Sequence, residues 1–105
     1  SERKMGNTIF RAMKRHGYTL YPIHPTLEEL DGIPCYPRLQ DISAPIDAVL
    51  INVSPENSLS IIEAANNLGI QKFWLQQGAE SQAAIAFGKV NQLIIITGQC
   101  ILMRL

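Results

Sequence analysis

D-A-V-L-I-N-V-S-P-E, Asp47 to Glu56, is the stretch on which the fold turns. Asp47 to Val53 is nearly all apolar and of strand length, which predicts a strand buried on both faces, as in a parallel sheet. Ser54-Pro55-Glu56 then reads as a helix start. Serine suits the N-cap, and proline suits the first helical position because its missing N–H would have no partner there. The predicted helix runs to about Leu68. Ile61, Ala65 and Leu68 form its apolar stripe, with Ile62 beside them, and Gly69 ends it.

The same grammar continues toward the C-terminus. Gln71 to Gln76, Q-K-F-W-L-Q, is a third strand, followed by a Gln77-Gly78-Ala79 loop. Glu80 or Ser81 opens a helix to about Val90, with Ala84, Ile85 and Phe87 as its apolar members. Gln92 to Thr97 is a fourth strand, closed by Gly98-Gln99-Cys100, and Ile101 to Leu105 is a short apolar tail. Buried strands alternating with helices imply a parallel α/β sheet with right-handed crossovers.

Toward the N-terminus the chain opens S-E-R-K-M-G-N-T-I-F-R-A-M-K-R-H, Ser1 to His16. Ser1 to Asn7 reads as a phosphate-facing turn and Asn7 to His16 as a helix, with Asn7 its N-cap. Ile9, Phe10 and Met13 share one face, and Arg11, Lys14 and Arg15 the other. Gly17 ends this helix. A helix start offers unpaired N–H groups and partial positive charge, so it can hold an anion, and Arg3 and Lys4 add full charges. A solvated basic helix is the competing reading, since charge runs are commonly solvent faces.

Tyr18 to Ile23 reads as another strand, with Pro22 marking its end or an edge position. Thr26 to Gly32 is turn-like, with Asp31-Gly32 the strong signal. Ile33 to Ile42, broken by Pro34 and Pro37, reads as an irregular connection. It includes a short extended piece around Cys35-Tyr36 and one turn near Leu39. A doubly wound sheet begins with a central strand ahead of its phosphate turn. None precedes Ser1, so the expectation is a Rossmann-like, three-layer doubly wound parallel sheet whose first strand lies upstream of this sequence.

The 105 residues fit one domain, 1–105, and the 47% hydrophobic content is ordinary for a globular chain. Formal net charge is zero, which gives no general pull toward nucleic acid or an anionic membrane. The distribution is uneven: five of the nine basic residues and one of the nine acids lie in residues 1–16. A locally positive end suits a compact anionic ligand better than a long polyanion. Cys35 and Cys100 form no C-x-x-C and no Cys/His cluster, which argues against zinc and a disulfide framework and fits a reducing cytoplasm. There is no signal-peptide pattern, and no apolar run, Leu93 to Ile96 included, is long enough for a bilayer.

S-x-x-K-x-G-N leading into a helix, then G-Y-x-x-x-P-x-x-P, resembles the bacterial CoA-binding domain family. These are Rossmann-like proteins related to the CoA-binding domain of succinyl-CoA synthetase alpha subunits. The residues are Ser1, Lys4, Gly6 and Asn7, then Gly17, Tyr18, Pro22 and Pro25. The resemblance continues through Asp31 to Ile42, Val53 to Glu56, Gly69 to Gly78 and Cys100-Ile101, so it covers nearly the whole chain. Two departures stand out: His24 where the family often has Asn, and Gly98-Gln99 where it commonly has Asp-Arg.

The resemblance implies a domain that binds the ADP part of coenzyme A or an acyl-CoA. By it, Ser1, Arg3, Lys4, Gly6 and Asn7 meet the pyrophosphate or 3′-phosphate. His24 and Pro25 border the adenosine, Val53, Ser54 and Pro55 line the cleft, and Gln76 and Gly78 flank the pantetheine side. These positions are helix starts and strand carboxyl ends, where open α/β sheets bind ligands. NAD-binding chains place Asp or Glu where this chain has His24, which lowers the NAD reading. A His there is compatible with a ribose phosphate, or merely caps the strand.

No catalytic constellation emerges: Ser54 has no His/Asp arrangement, and Glu28, Glu29 and Asp31 have no metal spacing. Cys100 and Cys35 read as small core residues. Three functions stay open. They are a CoA-binding module without chemistry of its own, the cofactor-gripping part of an acyl-CoA ligase or transferase, and an interaction domain that has lost its ligand.

Overall fold

The computed structural model describes residues 2–105, with side chains from Gly6 onward; Ser1 lies outside the described residues. The chain divides into two compact units, residues 3–45 and residues 46–104.

The first unit opens with α1, Glu2–Arg15. The helix therefore starts at Glu2, and Asn7 is an interior residue rather than the N-cap. The expected turn over residues 1–7 is helical from Glu2 onward. Glu2, Arg3, Lys4 and Met5 are all good helix formers, and one interior glycine costs only about 1 kcal/mol. Ile9, Phe10 and Ala12 are buried, while Arg11, Lys14 and Arg15 are exposed. The helix closes as read, with Gly17 N donating to Lys14 O and Tyr18 N to Met13 O, a Schellman pair.

The strand expected over Tyr18 to Ile23 reduces to one parallel bridge, Ile23 to Tyr36. Tyr36 N donates to Pro22 O at 2.9 Å and His24 N to Tyr36 O at 3.0 Å. Pro22 has no N–H to extend the ladder, and Pro34 and Pro37 interrupt the facing segment. The Tyr21 and Tyr36 rings pack in a tilted pair, 6.2 Å between centroids.

Between these segments lies a hairpin absent from the sequence reading. β1, Glu29–Leu30, pairs antiparallel with β2, Ile33–Pro34. Its turn residues are Asp31 and Gly32, with φ of 51° and 80°. Two positive φ values make a type I′ turn, the geometry Asp-Gly favours. Lys14 Nζ donates to Asp31 O at 2.9 Å and to its carboxylate at 3.2 Å, fastening the turn to α1. A Cβ at Gly32 would meet nothing within 4 Å. Gly32→Ala is therefore expected to cost about 1–2 kcal/mol of backbone strain alone, measured by urea unfolding. The turn near Leu39 is present as a 3₁₀ turn, Leu39–Asp41, with Leu39 buried.

The second unit is a parallel three-stranded sheet. β3 (Val49–Ile51), β4 (Lys72–Leu75) and β5 (Ile94–Ile96) lie in that spatial order. Val49 pairs with Phe73, and Phe73 with Ile95. The strands are shorter than the apolar runs that announced them, but each sits where it was expected. α2, Pro55–Asn67, and α3, Gln82–Val90, connect them.

Side-chain alternation puts Val49, Ile51, Phe73, Leu75 and Ile95 on one face of the sheet. Ile51, Phe73 and Leu75 are buried, together with Ile62 and Ala65 of α2 and Ala84 of α3. Close approach of α3 explains Gly88: a Cβ there would collide with the Ile95 side chain. On the opposite face of β5, Ile94 and Ile96 are 54% and 36% exposed, so burial on both faces does not extend to this strand.

Ser54 holds the N-cap position of α2 in extended conformation and Pro55 opens the helix, both as read, without a side-chain capping bond from Ser54. In α3 the cap is complete, with Ala84 N donating to Ser81 Oγ at 3.2 Å. The buried row of α2 is Ser58, Ile62 and Ala65, while Leu68 is 52% exposed. Ser58 occupies a core position because its hydroxyl donates to Ala79 O at 2.7 Å, so nothing polar is left unpaired.

Candidate functional site

Because β3, β4 and β5 are parallel, their carboxyl ends emerge along one edge of the second unit. Three chain segments leave from that edge. Val53, Ser54 and Pro55 follow β3, Gln76 to Gly78 follow β4, and Gly98 to Cys100 follow β5. Of the residues singled out in the sequence, the second unit thus groups Val53, Ser54, Pro55, Gln76 and Gly78 at strand ends.

Gln76 is the most constrained of them. It is 2% exposed. Its backbone N donates to Ile51 O at 3.0 Å and its carbonyl accepts from Ala79 N at 2.9 Å. The side chain spans to the segment after β5. Ile101 N donates to Oε1 at 2.6 Å, and Nε2 donates to Cys100 Sγ at 3.1 Å. A backbone amide can only donate, so it fixes which end of the carboxamide is oxygen. Trp74 Nε1 adds a second tie, donating to Gln99 O at 3.1 Å. Gln76 and Trp74 together hold the 98–101 segment against the end of β4.

The held segment shapes an open cleft of about 580 Å³, lined by Gln77, Gly98, Gln99, Cys100, Met103 and Arg104. Its size falls in the range of small-molecule sites. Arg104 Nε donates to Gln99 Oε1 at 2.6 Å, which steadies a cation on the wall. Gln99, Met103 and Arg104 were missed in the sequence, where residues 101–105 read only as an apolar tail. The tail is in fact a 3₁₀ turn, Ile101–Met103, folded back by the bond to Gln76. Gly78 N donates to its neighbour Glu80 at 2.7 Å.

The first unit holds the other candidates. Gly6 and Asn7 sit in α1, half-buried, and Arg3 and Lys4 lie in its first turn. His24 and Pro25 follow the Ile23 bridge. Thr26 N and Leu27 N donate to His24 Nδ1 at 3.1 and 3.0 Å, so the imidazole caps the turn it begins. Cys35 is half-buried, and desolvation, with the nearby Glu29 carboxylate second, pushes its thiol pKa up. A raised pKa withholds the thiolate that reactivity requires. Among the described residues no three His, Cys, Asp or Glu side chains gather as a metal site. None of the described helices is long and apolar enough to cross a membrane.

The family model described as "CoA binding domain" matches residues 1–105. The chain belongs to the CoA binding domain family. This CoA binding domain is 28% identical over 98 residues to the uncharacterized protein YneT of Bacillus subtilis (strain 168), covering 93% of this chain and 73% of that one. It is 24% identical over 94 residues to an ADP-forming acetate–CoA ligase of Archaeoglobus fulgidus, covering 90% of this chain but 14% of the ligase. Among solved structures, a hypothetical protein from Pyrococcus horikoshii OT3 superposes with a TM-score of 0.87 at 30% identity, over 92% of this chain and 68% of that one. The fold of this CoA binding domain is thus the parallel, Rossmann-like α/β arrangement that the alternation around Asp47–Glu56 implied.

Proposed function

We propose that this chain binds coenzyme A or an acyl-CoA through its ADP moiety and carries out no chemistry of its own. The observation that carries the reading is the family match over all of residues 1–105. The strand carboxyl ends of the second unit support it, being where open α/β sheets take ligands. In this reading Ser1, Arg3, Lys4, Gly6 and Asn7 meet phosphate groups, and His24 and Pro25 border the adenosine. Val53, Ser54 and Pro55 face the ligand from the end of β3, outside the cleft lined by residues 77, 98–100, 103 and 104, and Gly78 flanks the pantetheine arm. Gln76 holds the 98–101 segment beside that arm. The ligand class is a small nucleotide cofactor, neither a nucleic acid nor a membrane.

A second reading has a specific observation behind it. The match to 14% of an ADP-forming acetate–CoA ligase fits a chain that supplies the cofactor grip to a larger acyl-CoA ligase. Co-purification with a separate ligase or transferase subunit would favour that role. An NAD role is disfavoured by His24 at the position where a carboxylate grips the ribose diol.

Calorimetric titration with CoA and acetyl-CoA tests the reading: saturable binding supports it, and a folded sample that binds neither refutes it. The Arg3→Ala/Lys4→Ala double variant is expected to bind CoA more weakly by about 1–3 kcal/mol, roughly 5- to 150-fold. Unchanged affinity would remove these residues from the phosphate site.

A further inference from the structure

Arg104 is the one charged residue lining the cleft beside the 98–101 segment. A chain of bonds that starts in the sheet sets its position. Trp74 Nε1, on the central strand, donates to Gln99 O at 3.1 Å, and Arg104 Nε donates to Gln99 Oε1 at 2.6 Å. The backbone adds a second route: Ile101 N donates to Gln76 Oε1, and Arg104 N donates to Ile101 O at 2.9 Å. Fixing a long, rotamer-rich side chain is part of what binding ordinarily costs. Here the inner edge of the guanidinium is already held, so less of that cost remains.

Nε is engaged with Gln99, but the two terminal amino groups of Arg104 have no hydrogen bond or ion pair among the described residues. The ion pairs of those residues, Lys14–Asp31 and Arg38–Asp41, both lie in the first unit. A guanidinium edge with two parallel N–H groups matches the two oxygens of a carboxylate. Charge separates a carboxylate from a phosphate monoester. No second cation lines the cleft, so one positive charge meets one carboxylate, whereas a phosphate monoester carries about −1.5 to −2. Cys100 and Met103 give the wall soft, weakly polar sulfur groups that suit a hydrocarbon chain. Met103 is 82% exposed, so this apolar surface is uncovered.

We infer that the cleft is a receptor for a short-chain carboxylate, its oxygens gripped by the terminal edge of Arg104 and its chain lying against Met103 and Cys100. The carboxylate belongs either to a free short-chain acid or to the far end of the acyl group on a coenzyme A thioester. Only the second source rests on the coenzyme A reading.

The test uses the full chain and its Arg104→Gln variant, a change at an exposed position. In one arm glutarate is titrated while the ¹H–¹⁵N resonance of Arg104 Nε is followed, with uncharged pentanamide as the control. In the other, calorimetry compares glutaryl-CoA with valeryl-CoA, which has the same five-carbon acyl chain without the far carboxylate. A saturable glutarate shift, absent with pentanamide, and affinity about fivefold lower in Arg104→Gln assign the free acid. A preference of about fivefold for glutaryl-CoA, abolished in Arg104→Gln, assigns the acyl source. No glutarate shift together with equal thioester affinities overturns the inference and leaves coenzyme A binding intact. So does a glutaryl preference that survives in Arg104→Gln, or inorganic phosphate binding more tightly than glutarate. Glutarate binding by a folded chain that ignores both thioesters and CoA overturns the coenzyme A reading alone.

Discussion

Phe73→Ala is expected to lower the unfolding free energy by about 3–5 kcal/mol, the usual cost of emptying a buried phenylalanine site. Phe73 is 2% exposed and heads the largest fully buried side chains. It sits on β4, the central strand, flanked by Val49 on one side and Ile95 on the other. Strands on both sides and a helical layer across the face leave little freedom to collapse into the void. Native domains have only about 5–15 kcal/mol in hand, so this one change removes roughly a fifth or more of it. A thermal midpoint lower by more than about 10 °C should follow. Val90→Ala, at a position 82% exposed, is the control and should move stability by no more than about 0.5 kcal/mol. A Phe73→Ala loss below about 1 kcal/mol would mean the sheet does not pack as described.

Gln76→Met should act more locally. Methionine keeps the approximate length of the side chain but offers Ile101 N no comparable acceptor and Cys100 Sγ no donor. A buried donor left without a partner costs about 1–3 kcal/mol. The loss should be concentrated in the 98–104 segment, because Gln76 is one of its two side-chain ties to the end of β4, the other being Trp74. Hydrogen exchange is the discriminating readout. The Ile101 amide should lose protection, while Phe73 and Leu75 amides, held in the ladder, should keep theirs. Unchanged protection at Ile101 would show that Gln76 does not hold the segment. Since that segment lines the cleft, weaker CoA binding is the functional outcome expected of the same variant.

The second unit was largely legible in the sequence. The runs around Leu50, Trp74 and Ile95 have no strand-like polar face, and Pro55 and Ser81 mark helix starts, so the parallel alternation followed from local chemistry. Asp31-Gly32 likewise announced a turn, although not the hairpin it closes. Three other features did not come through, each for a different physical reason. Gly6-Asn7 looks like a helix boundary, yet Glu2 to Met5 are good helix formers and carry α1 through it. Tyr18 to Ile23 has strand composition, but composition does not supply a partner, and Pro22, Pro34 and Pro37 limit pairing to one bridge. The buried place of Ser58 has no local signal, because its partner, Ala79 O, is remote in sequence.

The site divides in the same way. That Val53, Ser54, Pro55, Gln76 and Gly78 would gather at strand ends followed from the parallel topology alone. The double role of Gln76 and the presence of Gln99, Met103 and Arg104 along the cleft did not. Those depend on bonds between β4 and the segment after β5, and no local pattern encodes them. The tautomer of His24 is an intermediate case. The His-Pro pair was visible, but only the two amide contacts at Nδ1 show which ring nitrogen carries the hydrogen.

The claim that organises all of this is that the chain is a coenzyme A binder, and parallel calorimetric titrations with CoA, NAD and NADP test it most directly. The account predicts saturable, stoichiometric binding of CoA and no comparable binding of NAD or NADP. Saturable binding of NAD by a folded sample that ignores CoA would contradict it.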